Sequence, residues 1–330
     1  MRTDFSKYFW CFVTDFSETV GYGHLRRCEI LGKKLLASGA RVCFLFRNPE
    51  LTHDRFEYFH IPSSSDLLDL ASEEKILIVD DHGLDGQYVA AFEKFCLVVG
   101  LDELGELRAF FDLHFVTTLL GVSPSEQRIG KCREWIGIKW FVFDDEDDTP
   151  SLGVPDKIPV TFGGSDPARI TEKFLQYLET ENLEISRFLV FLGPGFAQKR
   201  CDWLRNRYPE VDFRSGVSDL RAYFRGSAFV IASGGITAYE ILKAGSIPLL
   251  IAQHQEQATV IEELSDKGLA INLGNGENFH KMCLKEHIFM QNHEPLRVEF
   301  QKRFSEYGAG QGADSILRQV LEHAKHRSVS

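Results

Sequence analysis

The sequence predicts an α/β protein with two domains, each a parallel sheet covered by helices. The first observation is length, because 330 residues exceed the roughly 250–300 residues at which one hydrophobic core usually stops growing. The second is that short apolar segments of strand length alternate with amphipathic segments of helical period, which is the pattern of βαβ units. The third is an acidic segment near the middle of the chain, after which the alternation starts again.

Eight short apolar segments are predicted as buried strands, because strands covered on both faces appear as continuous hydrophobic runs. They are residues 9–13, 42–46, 76–79, 96–99, 160–162, 188–192, 229–232 and 247–251. Segments with apolar residues at helical spacing are predicted as amphipathic helices. They are residues 24–37, 237–244, 260–264 and 316–321, with a long final helix over residues 295–323.

The domain boundary is predicted near residue 150. Residues 144–148 form a run of five acidic residues, followed by Pro150, and such a run repels itself and stays solvated. We therefore expect one domain over residues 1–150 and another over residues 151–330, with the last helix packing on either; the alternative is a long surface loop within one domain. The two halves are expected to be Rossmann-like domains facing each other across a cleft.

Composition excludes several classes of protein. The chain is 44% hydrophobic and 26% charged, which is globular composition and excludes wholesale disorder. The formal charge of −11 argues against nucleic acid as a partner, because nucleic-acid binders carry a basic face. The sequence contains no apolar run of about 18 residues, so no membrane helix is predicted. The first residues also lack the apolar core of a secretory signal. The seven cysteines show no CxxC spacing, which favours reduced thiols in a cytoplasmic protein.

The first motif that points to chemistry is Gly21-Tyr22-Gly23-His24, which follows the first strand and opens a helix. A helix N-terminus favours anions, and ligands of open α/β folds bind at the carboxyl edge of the sheet. A neutral imidazole at that position is suited to act as a general base. The alternative is a histidine that caps or packs locally. The motif is not a dinucleotide fingerprint, because Arg26 stands where GxGxxG requires glycine.

The second motif, residues 162–167, again reads strand, glycines and helix start. Its Gly163-Gly164-Ser165 turn is expected to present N–H groups to a phosphate or a base edge. Asp166 is predicted as the helix N-cap and Pro167 as the first helical residue, so that Asp166 is either structural or part of the site.

The third motif, residues 233–240, reads Ser-Gly-Gly-x-Thr-x-x-Glu after a buried strand. Ser233, Thr237 and the N–H groups of the glycines are predicted to form a nest for a diphosphate. Glu240, one turn into the helix, is predicted to accept hydrogen bonds from a ribose diol; the alternative is an exposed helical glutamate. The polar residues 253–257 follow at the head of another helix.

Together these motifs, including Gly-x-Gly-His-x-x-Arg, resemble those of GT-B-fold nucleotide-sugar enzymes over about residues 8–275. The chain looks most like the UDP-sugar hydrolases of pseudaminic acid biosynthesis and the spore-coat polysaccharide proteins similar to them. It is more distantly similar to the lipid II N-acetylglucosaminyltransferases. The resemblance implies that His24 is the catalytic base and that Asp15 is the family's acid at the end of the first strand.

The resemblance also implies a set of binding residues. The implied nucleotide-binding residues are Gly163, Gly164, Ser165, Ser233, Gly234, Gly235, Thr237, Glu240 and Gln257. The implied residues of the sugar and phosphate loops are Gly21, Gly23, Arg27 and Asp80.

The sugar side of the resemblance departs from the family pattern. The family commonly reads Asp-x-Tyr after its middle strand, and here His82, a third candidate catalytic residue, takes the tyrosine's place. Glu256 replaces the asparagine of an Asn-Gln pair, and Thr117 and Thr118 stand where asparagines often line the sugar pocket.

The resemblance predicts hydrolysis of a UDP-activated amino-deoxy sugar at its anomeric carbon, without a metal or another cofactor. A glycosyltransferase that uses a hydroxyl acceptor is the first alternative, and a nucleotide-sugar-binding regulator without turnover is the second. Residues 56–61 are only mildly apolar and have no accompanying Lys/Arg cluster, which favours hydrolysis over transfer to a lipid acceptor. The partner expected is the UDP-sugar itself, with no membrane insertion.

Overall fold

The computed structural model describes residues 4–15, 23–81, 83–103, 105–117, 125–143, 157–217, 219–276, 284 and 293–327. The chain forms two compact units. The first unit is Met1–Asp144 with Tyr307–Ser330, and the second unit is Asp145–Glu306.

Fourteen strands lie in the described ranges. They are β1 (Phe9–Thr14), β2 (Arg41–Phe46), β3 (Glu57–His60), β4 (Lys75–Asp80), β5 (Leu97–Leu101), β6 (Leu113–Val116), β7 (Ser125–Ile129), β8 (Cys132–Ile136), β9 (Ile158–Thr161), β10 (Phe188–Leu192), β11 (Asp212–Ser215), β12 (Phe229–Ser233), β13 (Ile247–Ala252) and β14 (Ile271–Asn275). All eight predicted strands are confirmed to within two residues at their ends.

The α-helices of the described ranges alternate with these strands. They are α1 (Gly23–Ala37), α2 (Ser64–Leu70), α3 (Val89–Phe92), α4 (Ile170–Thr180), α5 (Gln198–Arg207), α6 (Arg221–Phe224), α7 (Ile236–Lys243), α8 (Gln255–Asp266), α9 (Glu294–Glu306) and α10 (Gly312–Arg327). Short 3₁₀ turns connect several of them.

The first unit is built on an eight-stranded sheet in the order β3-β2-β1-β4-β5-β6-β8-β7. Its neighbouring strands are parallel except for β7, which is antiparallel to β8. The second unit has six parallel strands in the order β11-β10-β9-β12-β13-β14. Each order is that of a doubly wound Rossmann-like sheet, so each unit has a switch point where the direction of winding reverses. The switch points lie between β1 and β4 and between β9 and β12.

The core of the first unit covers both faces of its sheet. On β1, Trp10 and Phe12 pack on one face with residues of α1 and α10, whereas Cys11 and Val13 pack on the other face with residues of α2 and α3. This alternation is the side-chain period of a strand. The apolar segment 9–13 is therefore covered on both faces, as predicted.

The predicted final helix is two helices instead of one. α9 ends at Glu306, α10 begins at Gly312, and between them Gly308 and Gly310 have φ angles of 68° and 103°. A positive φ is incompatible with a continuing right-handed helix, so the chain turns here. Helix α10 packs on the first unit, where Asp314 lies 3.2 Å from Lys34 of α1.

Candidate functional site

The switch point of the first unit holds a histidine–carboxylate pair. Helix α1 begins at Gly23, which places His24 in its first turn, beside the carboxyl end of β1. Asp80 is the last residue of β4 and is the register partner of Thr14 on β1. The Nδ1 atom of His24 lies 2.7 Å from Oδ1 of Asp80, with 22% of the His24 side chain exposed and none of the Asp80 side chain. The strand order thus brings together two residues that are far apart in sequence.

Asp80 is held as a buried carboxylate. Burial by itself raises its pKa, but the charge of Arg27 and the hydrogen bonds from His24 and Arg27 lower the pKa to about 2. Arg27 donates from Nε to Oδ2 at 2.7 Å and from Nη2 to Oδ1 at 2.6 Å. An ionised carboxylate only accepts hydrogen bonds, so Nδ1 of His24 is the donor and carries the proton. Nε2 is then the ring atom able to accept a proton from a substrate or water.

Arg27 connects Asp80 to a second buried carboxylate. Its Nη1 donates to Oδ2 of Asp102, directly after β5, and to Oγ1 of Thr117 at 3.2 Å. Thr117, which follows β6, donates to Asp102 from its backbone N at 2.6 Å and from Oγ1 at 2.7 Å. Burial opposes the charge of Arg27, but Asp80 and Asp102 raise its pKa, so it stays a cation. Arg27 was assigned to the sugar and phosphate loops, and in the structure its guanidinium donates to Asp80 and Asp102.

A second ion-pair cluster lies at the adjacent strand ends. Arg47, which follows β2, donates to Asp81 from Nε at 2.6 Å and from Nη2 at 2.9 Å, and to Asp15 from Nη2 at 3.4 Å. The hydrogen bond that Arg47 donates to Asp81 is the largest cause of the raised pKa of Arg47. The predicted acid Asp15 therefore lies beside an arginine that the sequence did not single out.

Three predicted site residues, Gly21, His82 and Thr118, lie outside the described residues. Thr117 was expected to line a sugar pocket, but it is fully buried and bonded to Asp102 and Arg27. Thr117 follows the carboxyl end of β6, where ligand-binding residues are common in such sheets. Its hydroxyl, however, forms hydrogen bonds within the buried ion-pair cluster.

The switch point of the second unit is formed by glycine loops. Gly163 and Gly164 follow β9, and Gly163 has a φ of 86° that favours glycine. Gly195, in the loop after β10, donates its N–H to O of Gly164 at 2.8 Å. Gly164 and Ser165 are exposed to solvent. The loop is thus held in place by the hydrogen bond from Gly195, while Gly164 and Ser165 remain exposed to solvent.

Asp166 has a structural role at this loop. Its carboxylate accepts from the backbone N–H groups of Ile170 and Thr171 at 2.8 and 3.0 Å, and from Nη2 of Arg200 at 2.7 Å. Helix α4 begins only at Ile170, so Pro167 is not its first residue as predicted, and Asp166 is not adjacent to it. The Asp166 carboxylate still accepts hydrogen bonds from the first N–H groups of α4. It can reach them because the intervening residues form a turn, with positive φ angles at Asp166 and Arg169.

The Ser233–Glu240 segment lies at the same switch point. β12 ends at Ser233, Gly235 is the N-cap, and α7 runs from Ile236. A Cβ on Gly234 would lie 2.6 Å from Cγ1 of Ile261, so the segment packs directly against α8, whereas nothing lies within 4 Å of a Cβ on Gly235. Space is therefore open beside Gly235 at this helix start, and the first N–H groups of a helix are a common anion site. Thr237 and Glu240, both half-buried, belong to the first two turns of α7.

Gln253, which belongs to the polar segment 253–257 but was given no role of its own from the sequence, connects two of these strand ends. It follows β13, and its Nε2 donates to O of Phe162 at 2.8 Å, after β9. Its backbone N donates to Oε1 of the predicted nucleotide residue Gln257 at 3.0 Å. The only sequence signal was a polar residue at a strand end. Among the described residues, no group of three or more His, Cys, Asp or Glu side chains is arranged to hold a metal ion.

Two curated proteins share part of the sequence. An uncharacterised protein of Methanocaldococcus jannaschii is 21% identical over 270 residues, which are 74% of this chain and 55% of that protein. The spore coat polysaccharide biosynthesis protein SpsG of Bacillus subtilis is 27% identical over 172 residues, 50% of this chain and 50% of that protein. The chain therefore spans about half the length of these relatives. No family model matches the sequence.

Solved structures match nearly the whole chain. MurG of Acinetobacter baumannii has a TM-score of 0.63 at 12% identity, covering 96% of this chain and 99% of that one. The same four values hold for UGT89C1 of Arabidopsis thaliana, solved in complex with UDP-L-rhamnose. WaaG, a glycosyltransferase involved in lipopolysaccharide biosynthesis, has a TM-score of 0.53 at 13% identity, covering 95% and 99%. The chain has the GT-B fold.

The GT-B fold confirms the predicted class of two Rossmann-like α/β domains. In the first unit the His24–Asp80 pair, and in the second unit the Gly163–Ser165 and Ser233–Glu240 segments, lie at the switch point, where ligands of open α/β sheets bind. None of the helices in the described ranges combines the length and apolar character that crossing a membrane requires.

Proposed function

We propose that this chain hydrolyses a UDP-activated amino-deoxy sugar at its anomeric carbon, releasing UDP and the free sugar, in nonulosonic acid or surface polysaccharide biosynthesis. The observation that carries the proposal is the His24–Asp80 pair, because a base oriented by a buried carboxylate is what activation of water requires. The GT-B fold and the similarity to a spore coat polysaccharide protein support a nucleotide sugar as the substrate.

The proposed reaction begins at Nε2 of His24, which accepts a proton from water as the water oxygen bonds to the anomeric carbon. Asp80 compensates the charge that forms on the imidazole ring, and a base positioned in this way contributes roughly 10²–10⁴-fold in rate. The bond between the anomeric carbon and the diphosphate oxygen breaks, and its electron pair leaves with UDP. The products are UDP and the free sugar, and no atom is oxidised or reduced.

The second unit is proposed to hold UDP. The N–H groups at the start of α7, together with Ser233 and Thr237, would stabilise the charge that develops on the leaving diphosphate. Glu240 would accept hydrogen bonds from the ribose hydroxyls. The exposed Gly163–Ser165 loop is assigned to the nucleotide as well, with Gln257 on the adjacent helix.

A glycosyltransferase is the second candidate, favoured by the fold shared with WaaG. An acceptor hydroxyl would take the place of water, and His24 would remove its proton in the same way. Hydrolysis is preferred because no Lys/Arg cluster accompanies residues 56–61, of which Glu57–His60 form the edge strand β3.

The test is to incubate the full chain with a panel of UDP-sugars, with and without hydroxyl acceptors, and to follow UDP and reducing sugar by NMR. Hydrolysis predicts both products without an acceptor, and water labelled with ¹⁸O should label the sugar and not the phosphate. Release of UDP only in the presence of an acceptor would establish transfer instead. UDP binding without turnover of any donor would contradict both enzymes and favour a binding protein.

A further inference from the structure

The His24–Asp80 pair is the end of a longer buried chain of charges. Asp80 accepts from Arg27 at 2.6 and 2.7 Å, and Arg27 donates onward to Asp102. The Arg27 side chain is 10% exposed and that of Asp102 is 4% exposed. Asp102 is thus linked to His24 through Arg27 and Asp80.

The charges of this cluster do not balance while His24 is neutral. Asp80 and Asp102 carry two negative charges and Arg27 carries one positive charge, so the buried group has a formal charge of −1. A proton on His24 brings the total to zero, and opposite charges attract each other more strongly in buried surroundings than in water. The positive charge that His24 gains on taking a proton is thus matched by the formal charge of the cluster.

The backbone of Asp102 is in the left-handed region, which is uncommon for residues other than glycine. Its φ is 51°, a left-handed value, and it is fixed by two hydrogen bonds from Thr117. Its backbone N donates to O of Phe115 at 2.9 Å. Strain of this kind persists where the surroundings determine it and is common at functional sites.

We propose that Asp102 is a positioning residue for the reaction: through Arg27 it fixes Asp80 against His24 and supplies the negative charge that His24 neutralises on taking a proton. This inference rests on the proposed role of His24 as the base. The other charged and titratable groups at these strand ends, among the described residues, are Asp15, Arg47, Asp81 and Glu103, and those on α1 are Arg26, Cys28, Glu29, Lys33 and Lys34. Asp15 and Asp81 are paired with Arg47, Glu29 lies 3.1 Å from His53, Glu103 accepts from the backbone N of Gly105, and burial raises the pKa of the Cys28 thiol. The Asp102 side chain takes part in none of these contacts, so its substitution removes none of them.

The decisive variant is Asp102→Asn, which keeps the shape of the side chain and removes its charge. We expect kcat on the UDP-sugar to fall by about 10²-fold, as misplacement of a catalytic group does, while KM changes little. The acidic limb of the kcat/KM profile should move to lower pH, because protonation of His24 no longer neutralises the cluster. Two-dimensional ¹H–¹⁵N NMR of the His24 ring, assigned with a His24→Gln sample, should show its titration moving in the same direction.

Asp112→Asn is the matched control. Asp112 precedes β6 at the opposite edge of the sheet, has 11% side-chain exposure, and pairs with Lys131 at 3.3 Å and Arg327 at 2.9 Å. Its loss should affect stability but leave kcat, the pH profile and the His24 titration unchanged. Equal effects of the two variants would make Asp102 merely structural and overturn the inference.

A second variant covers the case in which Asp102→Asn does not fold. Thr117→Val keeps every charge and the volume of the side chain but removes the hydroxyl bonded to both Asp102 and Arg27. We expect a fall in kcat and a smaller fraction of His24 with its proton on Nδ1, whereas wild-type values of both would overturn the inference. The NMR measurement does not depend on turnover, so failure of every UDP-sugar as substrate would refute the proposed function separately.

Discussion

Nδ1 of His24 and Oδ1 of Asp80 lie 2.7 Å apart, although the two residues are separated by 56 positions in the sequence. The contact joins the first turn of α1 to the last residue of β4. The sheet order places β1 beside β4, and α1 begins shortly after β1, so the doubly wound topology itself brings the imidazole to the carboxylate. The pair therefore occupies the position where this class of sheet binds ligands.

Replacing His24 by glutamine should abolish most turnover and leave binding intact. Glutamine cannot take a proton at neutral pH, so we expect kcat to fall by about 10²–10⁴-fold, with the affinity for UDP within twofold of the natural protein. Steady-state kinetics and calorimetry measure the two quantities. His53→Gln is the control, because His53 is also paired with a carboxylate, at 3.1 Å from Glu29. A His24→Gln protein with near-natural kcat would remove His24 from the mechanism.

Asp80→Asn should destabilise the protein and make its folding stability less dependent on pH in the acidic range. Removing one member of a buried ion pair typically costs about 3–5 kcal/mol. The pKa of Asp80 is about 2 in the folded protein, below the ordinary value of roughly 3.9 for an unfolded aspartate. The folded state thus binds fewer protons, and the stabilisation by Asp80 is complete above about pH 4 and is lost as pH falls toward 2.

Urea unfolding between pH 7 and pH 2.5 checks this expectation. The natural protein should lose more stability over the acidic part of the range than Asp80→Asn does. Asp69→Asn, which removes an exposed carboxylate of α2, should follow the natural protein. Parallel pH curves for all three proteins would contradict the assignment of Asp80 as a buried, ionised partner of Arg27.

The fold was accessible from the sequence because its central strands are apolar. The six strands that were missed are β3, β6, β7, β8, β11 and β14. β3, β7, β11 and β14 lie at sheet edges, where one side is solvated and polar residues such as those of Ser125–Ile129 interrupt the apolar pattern. β6 carries the buried His114, whose Nδ1 contacts Glu134 of β8 at 2.6 Å. Such a polar pair interrupts the apolar run of each strand, and the pairing itself cannot be recognised from the sequence.

The candidate site was only partly accessible for a related reason. His24 and the glycine loops are marked by local motifs next to strands, and the structure places them at strand ends. Asp102 and Arg47 have no local motif, because their roles depend on partners that are distant in sequence and adjacent only in the folded sheet. Gln253 likewise acquires its role by reaching Phe162 across β12.

Two alanine substitutions in the third glycine loop should separate stability from binding. A methyl group on Gly234 would meet Ile261, and overpacking of this kind costs about 1–3 kcal/mol. Gly235 has φ −103° and ψ −159°, which alanine adopts readily, and a methyl group there meets no protein atom within 4 Å. We expect Gly235→Ala to keep the natural melting temperature but to bind UDP about tenfold more weakly, a loss of roughly 1.4 kcal/mol. Unchanged affinity would argue against a diphosphate at this helix start.

Glu240→Ala should weaken the binding of UDP through the ribose. Losing a charged acceptor for ribose hydroxyls typically costs about 1.5–3 kcal/mol, and 2′,3′-dideoxy-UDP, which lacks those hydroxyls, should bind both proteins equally. Glu262→Ala, on the exposed side of α8, is the control. Calorimetry with UDP that gives equal affinities for the natural protein and Glu240→Ala would refute the ribose assignment.

Turnover should persist in excess EDTA. The acidic pair at the end of β4 is already occupied, because Asp80 accepts from Arg27 at 2.6 Å and Asp81 accepts from Arg47 at 2.6 Å. Mg²⁺ requires carboxylate oxygens that converge in octahedral geometry with the diphosphate, and breaking two buried or half-buried ion pairs opposes this. The start of α7 offers the diphosphate a positive environment of its own. We therefore expect the same kcat before and after dialysis against the chelator, measured by UDP release. Loss of activity that Mg²⁺ or Mn²⁺ restores would make Asp80 and Asp81 metal-ligand candidates and would require a mechanism that is not centred on His24.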